Sequence, residues 1–385
     1  MTAPLPLDGT RVVEMSHMVM GPTCGLILAQ LGAEVIKVEP AKGDKTRALG
    51  GMGTAFFPLF NRGKRSLVLD LETEKGQEAL HRLLGTADVF LENFKDGLLA
   101  RQGLDAERLQ EKYPGLIIAG HKGFLSGPYE HRPALDEVVQ MMSGLAVMTG
   151  TREKPLRVGS SVNDIMGGMF GVIGILAALM EREKTGKGKN IRIGLFENCL
   201  FTVAQHMVQY EMSGVPSTPM PERTHAWPVY DIFETKGDKK IFIAVVTDGH
   251  WNAFCKTYGL DHFLTDPRLV TATDRIEART WTIPEVAARI IQQDADELTE
   301  KLDALGIPFA RINAPEDLFN DPHVLRDGGL VTFENADGKT YRAPTLPLEL
   351  DGAGLGEGLH VPALGADTDD ILRELGLARK KGEVA

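Results

Sequence analysis

Short β-branched runs alternate with helical stretches along the first two hundred residues, and that alternation leaves few folds open. "RVVEMS" and "EVIKVE" flank "GPTCGLILAQLGA"; then come "SLVLDL", the helical "EKGQEALHRLLGTA", "DVFLENF", a helical stretch near Asp105 to Lys112, and "LIIAGHKGF". Strands joined by helices at this spacing need crossover connections. The expected fold is therefore α/β, a doubly wound, mainly parallel sheet with helices on both faces. A ligand of such a sheet lies beyond the carboxyl ends of its strands, and His17, Asn93 and Lys122 fall at or just past those ends.

The texture changes after "VPSTPMPERTHAWP", whose prolines and polar residues read as a linker. "VYDIFETKGDKKIFIAVV" has a hairpin pattern with its turn near Gly237 and Asp238; helical stretches follow from about His250 and Ile283, then the strand-like "IPFARINAP". This is a smaller α+β unit. The expected organisation is a large domain over residues 1–205, a linker over 206–224, the small domain over 225–325 and a terminal segment over 326–385. That last segment holds a second hairpin, "VTFENADGKTYRAP", and a short amphipathic helix, "DTDDILRELGL".

Composition removes several classes of function. A net charge of −11 offers no counter-charge to nucleic acid or to an anionic membrane, so neither is expected as a partner. Cys24, Cys199 and Cys255 are scattered and odd in number, which gives no disulfide framework and no CxxC metal pair. A reduced cytoplasm is the simplest location, and the N-terminus shows no signal-peptide pattern. The apolar run from Ile165 to Met180 is shorter than the ~20 residues a bilayer span needs, so a buried helix is expected. HExxH, GxxxxGK[ST], a strand-following GxGxxG and a GxSxG elbow are all missing, so no metal site and no hydrolase triad is expected. "TGKGKN" follows a helix instead of opening one and reads as a glycine stop with a basic turn.

One acid stands out. Asp164 sits at the mouth of "DIMGGMFGVIGILAALMERE", and no further charge follows until Glu181. A plain N-cap role explains many such aspartates. Here, however, Gly167, Gly171, Gly174 and Ala178 recur at spacings of four, three and four, a small-residue face that lets another backbone approach at a cost in helix propensity. Gly168 beside the acid leaves room for a ligand and for backbone donors, and no bulky neighbour covers the carboxylate. With an ordinary pKa of about 3.9 an aspartate is almost fully ionised at pH 7 and needs no activating base. Its natural electrophile is an activated acyl group, and the product is a mixed anhydride that must be kept from water.

These residues carry a resemblance. "LDGTRVVEMSHMVMGPTCGLILAQLGAEVIKVEPAKGDKTR", "NRGKRSLVLDL", "VFLENFKDG", "DIMGGMFGVIGILAALMEREKTGKGKNIRIGLFE", "DPHV" and "DTDDILRELGL" stand in the order and spacing of family III CoA-transferases, the formyl-CoA and carnitine CoA-transferase group, across nearly the whole chain. The resemblance implies a large domain built from both chain ends, a smaller one between, and two subunits interlocked like links. It places Asp164 where the family carries its catalytic aspartate. It further implies that Asp164 passes through acyl-anhydride and β-aspartyl-CoA thioester states, with backbone N–H groups near Gly167 and Gly168 steadying the oxyanions. Coenzyme A thioester is then a substrate, and no permanently bound cofactor is implied.

By the same resemblance His17, Val19, Leu69, Asn93, Phe94, Arg101 and Lys122 line the CoA site, and Arg47, Lys64 and Arg65 suit its phosphates, with solvated surface charge as their plain alternative. Pro40 stands where some members have an arginine, so one phosphate contact is absent. Asp136, in "RPALDEVV", matches an acidic position close to the catalytic aspartate, with a helix N-terminal acid as its plain alternative. The same fold hosts α-methylacyl-CoA racemases, which use a histidine where this chain has Leu135; leucine carries no proton, so transfer is favoured. The glycine repeat of formyl-CoA:oxalate enzymes is missing, and "HKGFLSGPYEHRPALDEVVQMMSGLAVMTG" looks most like members that move CoA from succinyl-CoA to malate, citramalate or itaconate. His121, Arg132, Arg223 or Lys122 would then hold the distal carboxylate of the acceptor.

Overall fold

Strand β1 (Arg11–Met15) pairs in parallel with β2 (Glu34–Glu39) on one side and β4 (Val89–Glu92) on the other. With β3 (Arg65–Val68), β5 (Ile117–Lys122) and β6 (Asn190–Gly194) they form one parallel sheet of order β3-β2-β1-β4-β5-β6. The order reverses between β1 and β4, and the chain leaves these two strands toward opposite faces. Their carboxyl ends therefore open a crevice. The computed structural model describes residues 4–95, 97–223, 227–356 and 359–377.

The helices follow from the crossovers. They are α1 (Met20–Gln30), α2 (Phe56–Asn61), α3 (Glu74–Leu84), α4 (Leu98–Arg101), α5 (Ala106–Lys112), α6 (Asp136–Met142), α7 (Leu145–Thr149), α8 (Val162–Thr185) and α9 (Leu195–Ser213). Alternation along the strands divides the core into two layers. Val12, Val35, Val89, Leu91, Ile117 and Ala119 face α1 and α8, whereas Val13, Ile36, Phe90 and Ile118 face α3 and α5. Both layers are apolar because both faces of the sheet are covered.

The chain divides into two units, one of residues up to Pro221 together with those from Pro322 onward, the other Glu222–Asp321. In the first unit the terminal segment closes the open edge of the sheet. Ser66 N–H donates to Asp367 Oδ2 (2.8 Å) and Val68 N–H to Thr368 Oγ1 (3.0 Å), the N-cap and first residue of α14 (Thr368–Glu374). Unpaired groups of edge strand β3 are thus satisfied without a further strand.

The second unit has an antiparallel sheet of β7 (Val229–Glu234), β8 (Lys240–Val245) and β9 (Phe309–Arg311), with α10 (Asp248–Thr257), α11 (Ala272–Glu277), α12 (Arg279–Ile290) and α13 (Ala295–Ala304) over its core. The hairpin turn falls where the sequence placed it, with Gly237 and Asp238 at positive φ. Two expectations need correction. Helix α9 continues to Ser213, so the first part of the expected 206–224 linker is helical; the boundary at 224/225 lies outside the described residues. Helix α8 has 24 residues, long and apolar enough by length and composition to cross a bilayer, and it is buried on one face only, with Met169, Ile173 and Met180 exposed.

Candidate active site

Helix α8 begins at Val162 without a side-chain cap from its own N-cap residue, Ser161. A residue from another helix takes that place. Asp136, the first residue of α6, accepts hydrogen bonds at Oδ1 from the backbone N–H groups of Asn163 (3.2 Å) and Asp164 (3.3 Å). These are two of the orphan donors of the first turn. Its other oxygen accepts from Gln140 Nε2 (2.6 Å) and from an Arg157 Nη2 (3.2 Å). Gln140 returns the support by accepting Val158 N–H at 2.9 Å. From α9, Asn198 donates to the backbone and side-chain oxygens of Asn163 (2.6 and 2.8 Å), while Asn163 donates to Leu195 O (2.9 Å). The backbone of Asp164 is consequently held from α6 and α9 at once, by side chains that are themselves buried.

The Asp164 side chain is half-buried. Loss of water, then the negative charge of Asp136, push its pKa up to about 7, with Arg157 opposing. The carboxylate is thus about half ionised at neutral pH, not almost fully ionised as its unperturbed value implies. Its anion is more basic for that reason.

Behind the acid, the glycine face packs on α1. A β-carbon at Gly167 would stand 2.5 Å from Met20 Cε, and one at Gly168 would stand 2.7 Å from Thr23 Cβ and 2.9 Å from the Met20 carbonyl oxygen. Further along, Gly171 lies against His121 and Cys24. The close approach expected from the spacing is present. Ile165 joins Val19, Leu26 and Phe60 in one apolar cluster, which brings the mouth of α8 beside the turn between β1 and α1.

That turn closes the β1 side of the crevice. Met18 holds a left-handed backbone (φ 64°), uncommon for a residue other than glycine. Next to it, His17 N–H donates to Asn93 Oδ1 (3.0 Å) and Asn93 Nδ2 donates to His17 O (2.7 Å), a reciprocal pair that ties the ends of β1 and β4 together. Phe94 stacks on the His17 ring with centroids 5.5 Å apart. Burial lowers the His17 pKa, so its ring is neutral at pH 7. Lys122, at the end of β5, pairs with Glu92 (2.7 Å) and donates to Phe94 O (3.0 Å). The His17–Phe94 stack and the Lys122–Glu92 pair thus stand together at the carboxyl ends of β1, β4 and β5. Among the described residues, no group of three or more His, Cys, Asp or Glu is placed to hold a metal ion.

The family model of CoA-transferase family III matches residues 7–368 of this chain. The chain belongs to that family. The transferase is 33% identical over 383 residues to succinate–glutarate CoA-transferase of Agrobacterium fabrum, covering 96% of each chain. It is 31% identical over 384 residues to succinyl-CoA–D-citramalate CoA-transferase of Chloroflexus aurantiacus, covering 97% of this chain and 94% of that one. The crystal structure of a CAIB/BAIF family protein from Brucella suis is similar with a TM-score of 0.87 and 33% identity, over 97% of this chain and 100% of that one. The transferase is therefore an enzyme that moves CoA between an acyl-CoA and a carboxylic acid.

Several residues singled out in the sequence lie elsewhere than expected. Lys64 is fully buried, its Nζ bonded to Glu14 (2.7 Å), Pro22 O (3.0 Å) and Asn61 Oδ1 (3.1 Å), and it has no surface to offer a phosphate. Arg65 sits at the amino end of β3, paired with Glu34 and Glu374, at the opposite end of the sheet from the crevice. Arg47 spends its guanidinium on a bidentate contact with Glu39, on Pro362 O and on the face of Phe57 at 3.8 Å. Leu69 and the side chain of Val19 are core residues. The N–H groups of Gly167 and Gly168 lie beyond the first turn of α8, where the helix itself takes up N–H donors; they are not free for an oxyanion.

His121 faces Gly171 within the core, and burial lowers its pKa to about 4, so it is not an exposed carboxylate ligand. Arg132 is exposed and lies over the ring of Tyr129 at 4.0 Å. Arg223 belongs to the second unit, beside Tyr230. Arg101 is exposed at the end of α4, the helix that follows β4.

Sequence reasoning missed Gln140, Arg157, Asn163 and Asn198, since nothing in their spacing marks them. It also missed the buried charges Glu14 and Lys37, which meet Asp44 and Lys64 beneath α1. A signal was available there. Both interrupt apolar strands at core-facing positions, where an isolated charge is not tolerated and a partner is implied.

Proposed function

We propose that Asp164 is the acyl carrier of this transferase and that the enzyme exchanges CoA between succinyl-CoA and a dicarboxylate such as malate, citramalate or itaconate. The observation that carries the reading is a half-buried carboxylate, raised in basicity, at the mouth of a helix whose backbone is fixed from two sides. An Asp164 oxygen attacks the thioester carbonyl, the C–S bond breaks, and CoA leaves as thiolate. The thiolate attacks the aspartyl carbonyl of the anhydride, forming β-aspartyl-CoA and releasing the donor acid as carboxylate. The acceptor carboxylate attacks that thioester and expels CoA thiolate again. Thiolate attack on the acyl carbonyl of the second anhydride then gives the new acyl-CoA and regenerates Asp164. Each anhydride is short-lived only if water is kept away.

His17, Asn93, Phe94 and Lys122 hold the CoA in the crevice, and Arg101 is an exposed cation suited to its phosphates. The two relatives named above act on succinyl and dicarboxylate substrates, which supports the acceptor class. The exposed apolar side chains of α8 and α9, among them Ile173, Met180, Phe201, Val208 and Met212, fit coverage by a second copy in an interlocked homodimer. A cytoplasmic location suits three buried free thiols. The test is steady-state transfer from succinyl-CoA to a panel of mono- and dicarboxylic acids. Turnover with a dicarboxylate, abolished in a folded Asp164→Ala variant, is expected; full activity of that variant would end the reading.

A further inference from the structure

Arg157 lies in the segment leading from α7 into α8, and its guanidinium is fastened on several sides. Nη2 donates to Asp136 Oδ2 (3.2 Å) and to Ser160 O (3.1 Å), Nε donates to Val158 O (3.1 Å), and Nη1 lies 3.8 Å from Glu137. Its position is therefore tied both to the turn that delivers Asp164 and to the carboxylate that caps it. Asp136 and Gln140 are buried, so the arrangement is built into the unit.

Opposite charges act on Asp164. α6 contributes Asp136, and the preceding segment contributes Arg157; Glu137 is turned toward Arg157. The neighbouring parts of α1 and α9 present Met20, Thr23 and Asn198, which are uncharged, and β5 presents His121, neutral and deeper along α8 at Gly171.

We propose that Asp136 and Arg157 form a positioning couple for Asp164, in which Asp136 caps the helix and repels negative charge on Asp164 while Arg157 fixes Asp136 and attracts that charge. The proposal rests on Asp164 being the acyl carrier. Acylation converts the Asp164 anion into a neutral anhydride, so repulsion from Asp136 is relieved in the forward step and the nucleophile is made more reactive. Unopposed repulsion would leave the acid mostly protonated at neutral pH, and Arg157 limits it. Opposite charges at fixed distances thereby set both how basic Asp164 is and how much of it is ionised.

The test is the pH dependence of single-turnover acylation, followed by intact-protein mass after mixing with succinyl-CoA, acetyl-CoA or propionyl-CoA. Asp136→Asn keeps an acceptor oxygen for the cap but removes the charge, and the acid limb of its profile should move about one pH unit down. Arg157→Gln should move the limb up by a similar amount, and Arg157→Lys should restore it toward wild type. Each variant is first checked by thermal melting, and the Asp136→Asn arm decides the proposal if Arg157→Gln does not fold. A uniform fall in rate with an unmoved limb would mean that the couple merely supports the fold, which overturns the proposal while leaving the acyl-carrier reading intact. Wild-type enzyme that takes up acyl groups from none of the three donors would overturn both.

Discussion

The carboxylate of Asp136 accepts a hydrogen bond from the backbone N–H of Asp164 at 3.3 Å, so one acid positions the other, and burial followed by the Asp136 charge raises the Asp164 pKa. Two consequences follow, one for rate and one for stability, and they have opposite practical signs.

For rate, with Asp164 as the proposed acyl carrier, its anion is the reactive form. With a pKa of about 7 in the folded protein, acylation should fall close to tenfold for each pH unit below that value and level off above it. A pH–rate profile of single-turnover acylation checks this; a flat profile down to pH 5 would mean an unperturbed carboxylate.

For stability, the sign is reversed. The folded state holds a proton on Asp164 up to about pH 7, whereas the unfolded chain loses it near 3.9. The favourable contribution of the protonated acid is complete below the unfolded value and is lost as pH rises through 7. Asp164→Asn should therefore stabilise the protein by on the order of 2–4 kcal/mol at pH 8 and by little at pH 4.5. Urea denaturation at the two pH values measures the difference.

Gly168 meets the Met20 carbonyl, which cannot turn aside as a side chain can. Alanine normally favours a helix interior by about 1 kcal/mol over glycine, yet here overpacking should win, with a net loss of about 1–3 kcal/mol. Gly174→Ala, whose β-carbon would meet only the Ile191 side chain at 3.0 Å or more, should cost less. Comparing the two urea midpoints tests the role assigned to the glycine face.

Lys64 separates a structural from a ligand-binding lysine. Replacing it with methionine strips Glu14 of its nearest counter-charge, and about 3–5 kcal/mol of stability should be lost. Any folded fraction should keep the wild-type KM for acyl-CoA. A stable variant with raised KM would return Lys64 to the CoA site.

Much of this was legible in the sequence because it depends on local pattern. The alternation of β-branched runs and helical stretches announced the parallel sheet, and the glycine spacing in α8 announced a close helix contact. Asp164 stood out, although N-capping explains many such acids, because the small-residue face behind it and its bare neighbours are unusual and because the surrounding motifs resemble those of the family. What stayed hidden depends on distance in the chain. Asp136 caps a helix that starts 26 residues later, and Asn198 reaches back 35 residues to Asn163; no local rule pairs them. Basic residues misled for a related reason. Arg47, Lys64 and Arg65 stand in motifs near the site, but their charge is spent on Glu39, Glu14 and Glu34, acids on neighbouring strands whose pairing only the folded sheet decides.

The most direct test of Asp164 as carrier is the intact mass of the protein after brief incubation with succinyl-CoA, acetyl-CoA or propionyl-CoA, followed by borohydride quench and peptide mapping. A mass gain of one acyl group or one CoA before the quench, with the reduced residue mapping to Asp164, is the expected result. An unmodified Asp164 in an enzyme that nonetheless transfers CoA would contradict covalent catalysis at this residue.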